Sequence, residues 1–463
     1  MRSRRSGSWF SAFVILLLVG GLLGCSHGGK HHAASAGNGD DSGAGDDDSG
    51  PDSDDDTGAS PCDSSRRPIV FVHGFIDSGG TFALPAMRFA SNGYCPERIF
   101  TFDWNSLSFN QAPQRAALGA LIDAVLSATG ASQVDLIGHS AGGELCASYL
   151  NEPGHAAKVA HYAHLASFGV TSPPGGVPTM DLSSPDDPIA GPSDIAGATN
   201  VKVPGADHLQ VVTSAESFGH LYSFFNDAEP ATLEIVPEED ILLWGRVVSL
   251  GENVPGSGYQ VRVFEVDPTT GDRLAAQPVA EFTADIGGYF GPFAGKPDTY
   301  YEYWCIPTDP NLIPVHYYRE PVPRTNGLVY LRTFPGPGSL VGTLLRTIDY
   351  ADDHAVVVNF TADQSAVVGR DSLIADGFDL TASGLAEPQH STIAVFLFDA
   401  NKNGQTDAVP AGGLFGTMPF LAGFDDLIPS EPPRAVSLSF NGRSMSVPNL
   451  KSRSEGVPIA VFD

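Results

Sequence analysis

One short segment restricts this chain more than any bulk property: Gly138-His139-Ser140-Ala141-Gly142. It follows the apolar run Val134-Asp-Leu-Ile137 and precedes a helix-forming stretch that reaches about Leu150. A strand passing straight into a helix must reverse within a few residues, and glycines flanking the serine remove Cβ atoms that would block the turn. Such a turn lifts a hydroxyl above a sheet and aims the N–H groups of the following helix beside it. The plain alternative is a tight turn with an incidental serine. The strand before it, the helix after it and a His73-Gly74 strand end upstream weigh against that.

The surroundings read as alternating strands and helices. Ile69-Val-Phe-Val72 and Ile99-Phe-Thr-Phe102 are short β-branched or aromatic runs, read as buried strands. Leu118, Leu121, Ile122, Val125 and Leu126 recur with helical spacing until Gly130. Further strands are expected at 159–166, 179–183 and 200–203, and a last helix carries Phe218, Leu221, Tyr222 and Phe225 on one face. This alternation predicts an α/β class with a parallel sheet, a catalytic domain over residues 62–235.

A serine hydroxyl is a weak nucleophile unless a base takes its proton and an acid orients that base. In a strand–turn–helix arrangement of this kind the chain order is Ser, then Asp or Glu, then His. The acids that follow at a strand end are Asp186 and Asp187, in Ser183-Ser-Pro-Asp-Asp-Pro-Ile-Ala190. The histidine is His208, in Gly205-Ala-Asp-His208, ahead of the terminal helix. His220 lies within a helix, His139 fills the variable position of the turn, and His161 and His164 precede the acid, so these read as structural. The candidate set is Ser140, Asp187 and His208, with Asp186 as the competing acid.

Together these pieces resemble the bacterial triacylglycerol lipases of the α/β-hydrolase superfamily. The matching segments are Pro68-Ile-Val-Phe-Val-His-Gly-Phe75, Asn92-Gly-Tyr94, Val134–Gly142, Asp187-Pro-Ile189 and Gly205–His208, which together span nearly all of residues 66–226. The resemblance implies an oxyanion hole built from the backbone N–H groups of Phe75 and Ala141. It also implies hydrolysis of a lipid or other ester through an acyl-enzyme on Ser140, with no metal or organic cofactor required. Asp-Asp in place of a single acid leaves the choice between Asp186 and Asp187 open. Competing expectations are a polyhydroxyalkanoate or short-chain esterase, an acyltransferase, or a surface binding protein with a vestigial hydrolase domain.

Charge enters through the N-terminus. The formal net charge is −29, with 25 basic against 54 acidic residues. That balance argues against a nucleic-acid partner, which needs clustered Lys and Arg. Arg2, Arg4 and Arg5 precede the apolar run Phe10–Leu18, and Leu22-Leu23-Gly24-Cys25 resembles the lipobox of bacterial lipoproteins. The run is shorter than the ~20 residues a membrane span needs. Residues 1–24 are therefore expected to be a lipoprotein signal peptide, and Cys25 a lipidated residue anchoring an exported protein to a membrane at the cell envelope or surface. Residues 25–61 are rich in Gly, Ser and Asp, with Asp46–Asp48 and Asp54–Asp56 among them, and read as a disordered tether. Cys62 and Cys95 each sit just before an early strand, so a disulfide between them suits an exported chain.

Past Pro237 the pattern turns to short strand-like runs split by Gly, Pro and Asp, consistent with the 52 glycines and 36 prolines of the chain. All-β structure is expected: a prealbumin-like sandwich over 240–325 and a second β-rich domain over 326–463. Ile313-Pro-Val-His-Tyr-Tyr-Arg-Glu-Pro321 and Leu328-Val-Tyr-Leu-Arg332 resemble the C-terminal β-domain of a two-domain archaeal long-chain lipase. Tyr300, Tyr301, Tyr303, Trp304, Tyr317 and Tyr318 offer a lipid-facing surface, although strand alternation assigns about half of them to a core. Asp399, Asn401, Asn403 and Asp407 stand at positions one, three, five and nine of a calcium-type loop with Gly404 sixth. Position twelve is Pro410 rather than Glu, and a hairpin turn explains Asn403-Gly404 equally well.

Overall fold

The computed structural model describes residues 62–463 except Phe109, Pro337, Ala382 and Ser383. The signal-like segment, Cys25 and the tether lie outside the described residues.

Six strands form the first sheet: β1 (Ile69–Val72), β2 (Ile99–Phe102), β3 (Val134–His139), β4 (Val159–Leu165), β5 (Thr179–Ser183) and β6 (Thr199–Lys202). All pair in parallel, in the order β2-β1-β3-β4-β5-β6. The helices are α1 (Ala83–Ser91), α2 (Ala112–Thr129), α3 (Ala141–Leu150) and α4 (Ala215–Asn226). Successive side chains of a strand point to opposite faces, and β1 is buried on both. Ile69 and Phe71 join Phe82, Phe89, Phe218 and Phe225 in one cluster, whereas Val70 and Val72 join Leu118, Ile122, Leu145 and Tyr149 in another. This two-sided burial is why the strands read as unbroken apolar runs rather than as alternation. Each fully buried Phe is worth about 1.5–3 kcal/mol relative to exposure, so the two clusters hold the sheet between its helix layers. Gly130, at φ 66°, closes α2 in the left-handed conformation that favours glycine. Cys62 and Cys95 form a disulfide, with Cα atoms 4.9 Å apart, fastening the lead-in to β1 to the lead-in to β2. Cys146 and Cys305 are free and buried.

The rest of the chain is β structure. β7 (Ile241–Ser249), β8 (Gln260–Glu265), β9 (Ala280–Thr283), β10 (Tyr289–Gly295), β11 (Tyr301–Ile306), β12 (Val315–Arg319) and β13 (Asn326–Thr333) come first. A short helix, α5 (Leu340–Leu345), leads to β14 (His354–Ala355), β15 (Val357–Thr361), β16 (Leu373–Ala375), β17 (Phe378–Asp379), β18 (Ala394–Phe398) and β19 (Leu421–Asp425). The last strands are β20 (Ile428–Pro429), β21 (Ala435–Phe440), β22 (Arg443–Pro448) and β23 (Val457–Phe462). An α/β-hydrolase-like layer followed by all-β structure is thus the observed fold class.

The division expected at 325/326 does not separate two sheets. β13 pairs with β7 in the sheet β10-β7-β13, and an eight-stranded sheet runs β19-β18-β15-β23-β12-β11-β8-β9 across that boundary. Its seam is β23 against β12, so Val315 faces Val457 in register. The partner of β12 lies far along the chain, and no local spacing announces it. The aromatic surface also needs correction. Tyr301, Tyr303, Tyr317 and Tyr318 are buried, and the half-buried Trp304 stacks on His316 at 5.3 Å between ring centroids. β11 and β12 are buried along most of their length, so most of these rings are core and not surface. Among the described residues no helix is long and apolar enough to cross a membrane.

The β structure also touches the first layer directly. Val248, Leu328 and Tyr330 belong to the same buried cluster as Phe71 and Phe82. Arg246 of β7 donates to Asp103 Oδ2 at 2.6 Å, and Tyr330 of β13 donates to the same oxygen at 2.6 Å.

Candidate active site

Ser140 sits at the junction of β3 and α3 with φ 51° and ψ −124°, a left-handed conformation costly for a residue with a Cβ. The surroundings hold it there. Its N–H donates to Leu165 O at 2.9 Å, and its carbonyl accepts from Ser167 Oγ at 2.6 Å. Gly142 is obligatory, because a Cβ there would lie 2.3 Å from Val72 O. The sharp turn inferred from the motif is therefore present, and α3 begins one residue after the serine. Ala141, as the first helical residue, has an N–H with no carbonyl partner inside the helix. The loop after β1 closes the other side: a Cβ on Gly74 would lie 3.0 Å from Ser140 Cβ, and Phe75 lines the same cavity as Ser140.

His208 lies in the same cavity, beyond the end of β6. Its Nδ1 donates to Asp187 Oδ2 at 2.8 Å, while Asp187 Oδ1 accepts from the N–H groups of Ile189 at 2.8 Å and Ala190 at 3.2 Å. Burial acts to raise the Asp187 carboxyl, but the facing His208 and these hydrogen bonds outweigh it and hold the group below its usual 3.8. Asp186 is exposed and accepts instead from the Gly205 N–H at 2.7 Å. The structure therefore brings Ser140, Asp187 and His208 together and turns Asp186 away. His208 Nε2 is buried and has no hydrogen-bond partner among the described residues.

Several contributors carry no mark in the sequence. His139, read there as filler, donates from Nε2 to the His208 carbonyl at 3.0 Å, with the two rings 4.8 Å apart. Burial, reinforced by His208, pushes its imidazole down to about 3, so it stays neutral. Phe420 faces the His208 ring at 6.0 Å, and Ser365, Ser391 and Ile393 complete the cavity lining. All four come from the C-terminal β structure, more than 150 residues downstream of His208. Asp207, next to His208, accepts from the N–H groups of Leu209 and Gln210 through Oδ1, both at 2.9 Å. Its Oδ2 accepts from Arg370 Nη2 at 2.8 Å and Ser365 N at 3.1 Å. The covered cavity leaves about 20 Å³ open to the centre of a water molecule, room for roughly one water.

The calcium-type loop is a hydrogen-bonded turn. Asp399 accepts from Asn403 N at 3.2 Å and Gly404 N at 2.9 Å, and Asn401 and Asn403 donate to Asp407 Oδ2 at 2.6 and 2.9 Å. Among the described residues, the set of His, Cys, Asp and Glu side chains close enough to share an ion is Cys62, Cys95 and Glu97. Two of those three are the disulfide.

Residues 66–151 match the family model described as lipase (class 2), and residues 239–334 match the lipase C-terminal domain. A further C-terminal-domain model matches residues 348–463. Solved structures with likeness include an esterase from Rhodococcus sp., 15% identical over 36% of this chain and 92% of that one, TM-score 0.29. A lipase from Bacillus licheniformis is 15% identical over 35% of this chain and 94% of its own, TM-score 0.32. Lipase B of Aspergillus fumigatus is 13% identical over 36% and 54%, TM-score 0.30. Likeness at that level carries no argument about activity. The weight rests on the two lipase family matches and on the parallel sheet with its serine turn, which together support a lipase or esterase of the α/β-hydrolase fold.

Proposed function

We propose that this chain is a serine carboxylic-ester hydrolase acting on lipid esters, triacylglycerols among them, and that it is exported and held at a membrane through a lipidated Cys25. The observation that carries the chemistry is His208, bound through Nδ1 to Asp187 while its buried Nε2 has no partner among the described residues and lies in the cavity of Ser140.

In this mechanism His208 Nε2 takes the Ser140 hydroxyl proton as Oγ attacks the ester carbonyl, and Asp187 stabilises the imidazolium. The carbonyl oxygen becomes an oxyanion received by the N–H groups of Phe75 and Ala141. Collapse breaks the bond to the alcohol, which leaves with the proton from His208, and Ser140 carries the acyl group. Water then enters, gives its proton to His208 and attacks the acyl carbon. The second tetrahedral species releases the acid and returns the proton to Ser140. The steps balance without a metal or redox partner. The lipid preference is supported by the lipase family matches, and export by the Cys62–Cys95 disulfide together with the signal-like N-terminal sequence.

A chain-length series of p-nitrophenyl esters, run on wild type and Ser140→Ala, tests this reading. The expected result is hydrolysis extending to long acyl chains, with kcat lower by roughly 10⁴-fold or more in Ser140→Ala. Activity surviving that substitution removes the acyl-enzyme. Activity confined to short chains removes the lipase assignment, and inactivity throughout favours a binding protein.

A further inference from the structure

Two catalytic loops are held from outside the hydrolase layer, and one of the holds falls on the loop that carries Phe75. Asn253 follows β7, 180 residues downstream of His73, yet its side chain lies inside the hydrolase layer and is 5% exposed. Its Nδ2 carries two protons, which face Asp77 O at 2.7 Å and Trp104 O at 3.0 Å, with His73 Nε2 sharing them at 3.0 Å. Phe75 is thus bracketed: one amide group grips the chain two residues before it and two residues after it.

The protonation of His73 suits this grip. Its Nδ1 donates to Gly74 O at 2.8 Å, so Nε2 is the acceptor, taking the N–H of Trp104 at 3.1 Å as well as the Asn253 amide. Burial keeps the ring below the usual imidazole range and therefore neutral, which leaves Nε2 its lone pair.

Strain marks both partners. Ile76, the residue after Phe75, has φ 58°, an outlier for a β-branched side chain. Asn253 itself has φ 55°, and its Oδ1 is buried without a hydrogen-bond partner among the described residues. Strained backbone and an orphaned buried acceptor persist only where surrounding contacts over-determine the geometry. Here the contacts converge on the loop: Ser106 Oγ accepts from Ile76 N at 2.8 Å, and Arg332 Nη1 of β13 lies 3.7 Å from Asp77 Oδ1. An asparagine held for packing alone would not need an acceptor on each flank of Phe75, His73 Nε2 before it and Asp77 O after it, beside a third at Trp104 O.

We infer that Asn253 is a positioning residue for the oxyanion hole, its amide fixing the Phe75 N–H at the place where negative charge develops on the ester oxygen. The inference rests on the hydrolase reading above. It makes the β7–β13 region part of the catalytic apparatus, acting through Phe75 and not by touching substrate. A donor displaced by a fraction of an ångström stabilises the transition state less while leaving ground-state binding nearly intact.

Asn253→Asp and Asn253→Gly test it in the full-length chain. The first is isosteric and carries no N–H; the second accepts the left-handed backbone and removes the amide. Both are expected to lower kcat on a p-nitrophenyl ester by about 10- to 100-fold with KM within about twofold, below the 10²–10³-fold cost of deleting a donor outright. Binding of an alkylboronic acid, which forms a tetrahedral adduct on the serine, should weaken by the same factor. Arg324→Met serves as the control for loosened domain contact, since Arg324 ties Ser91 Oγ and Val236 O away from this loop. It should lower the melting temperature and keep kcat. Variants that melt earlier but retain kcat and boronate affinity overturn the inference, as does an equal loss of kcat in Arg324→Met. If Asn253→Gly does not fold, Asn253→Asp alone decides. Wild-type inactivity, or activity in Ser140→Ala, is instead a failure of the hydrolase reading.

Discussion

The two stretches of β structure, β7–β13 and β15–β23, share one eight-stranded sheet but meet the loops around Ser140 and His208 in different ways. The first reaches behind the site: Asn253 grips the loop around Phe75, and Arg246 and Tyr330 both donate to Asp103, whose side chain is fully buried. The second reaches over it: Phe420, Ile393, Ser391 and Ser365 roof the cavity, and Arg370 ties this cover to Asp207 beside His208. Contacts behind a site are made among buried groups and resist change, since breaking one leaves a carboxylate or carbonyl unpaired in a dry place. Contacts over the site are nearer solvent: Arg370, the cation that ties the cover to Asp207, is one-third exposed. The same fold unit thus supplies a buried brace behind the site and a more solvated cover over it.

Four measurements press on that contrast. The largest effect is expected from Phe424→Ala in β19. Phe424 is 1% exposed in the core beneath the cover, and Phe→Ala in a core costs about 3–5 kcal/mol. The shared sheet requires this loss to appear in one thermal transition, seen alike by near-ultraviolet and far-ultraviolet circular dichroism. Two separated transitions would break the picture of a single unit.

Next is Arg246→Met, which removes the cation from fully buried Asp103. Stranding one member of such a pair costs about 3 kcal/mol. Denaturant unfolding should show that loss, while access of a small soluble ester to Ser140 stays unchanged.

Arg370→Met should cost less, about 1–2 kcal/mol, because the guanidinium is partly solvated and Asp207 keeps its three backbone donors. Its signature is different: kcat/KM for p-nitrophenyl acetate is expected to rise several-fold as the cover loosens. An unchanged or lower kcat/KM would make the cover a brace like the other region, and the contrast would fall.

The smallest effect is in pH. Burial raises the Glu320 carboxyl to about 7 and the Asp426 carboxyl to about 6. Both values lie above those of unfolded carboxyls, so the folded chain binds more protons there and is favoured at low pH. That contribution is lost as pH rises from about 4 to about 7. A series of melting temperatures should decline across this window, and Glu320→Gln should flatten the decline. A slope unaltered by that variant would assign the effect elsewhere.

The hydrolase layer was legible because its signals are local. Ile69–Val72 and Ile99–Phe102 are strands over the very residues their apolar runs mark, and Thr179–Ser183 is a strand where one was expected. His208 could be placed by chain order and the acid narrowed to Asp186 or Asp187; only the fold faced Asp187 to His208 and turned Asp186 towards Gly205. The β strands after residue 240 were also visible one by one, within a few residues. Their partners were not, because pairing β12 with β23 depends on loop closure over more than 130 residues. Asn253 and Arg370 carried no signal at all. Each looks like a surface polar residue until distant chain folds against it.

Sequence alone therefore determined the parallel α/β layer, the sharp turn at Ser140 and the order Ser, Asp, His along the chain. These follow from hydrophobic period and glycine placement within a few residues. Tertiary structure decided which acid faces His208, where the aromatic residues of β11 and β12 go, what covers Ser140 and what holds the loop of Phe75. Those outcomes depend on which buried donor meets which buried acceptor once the chain has closed, and that pairing is written in no window of the sequence.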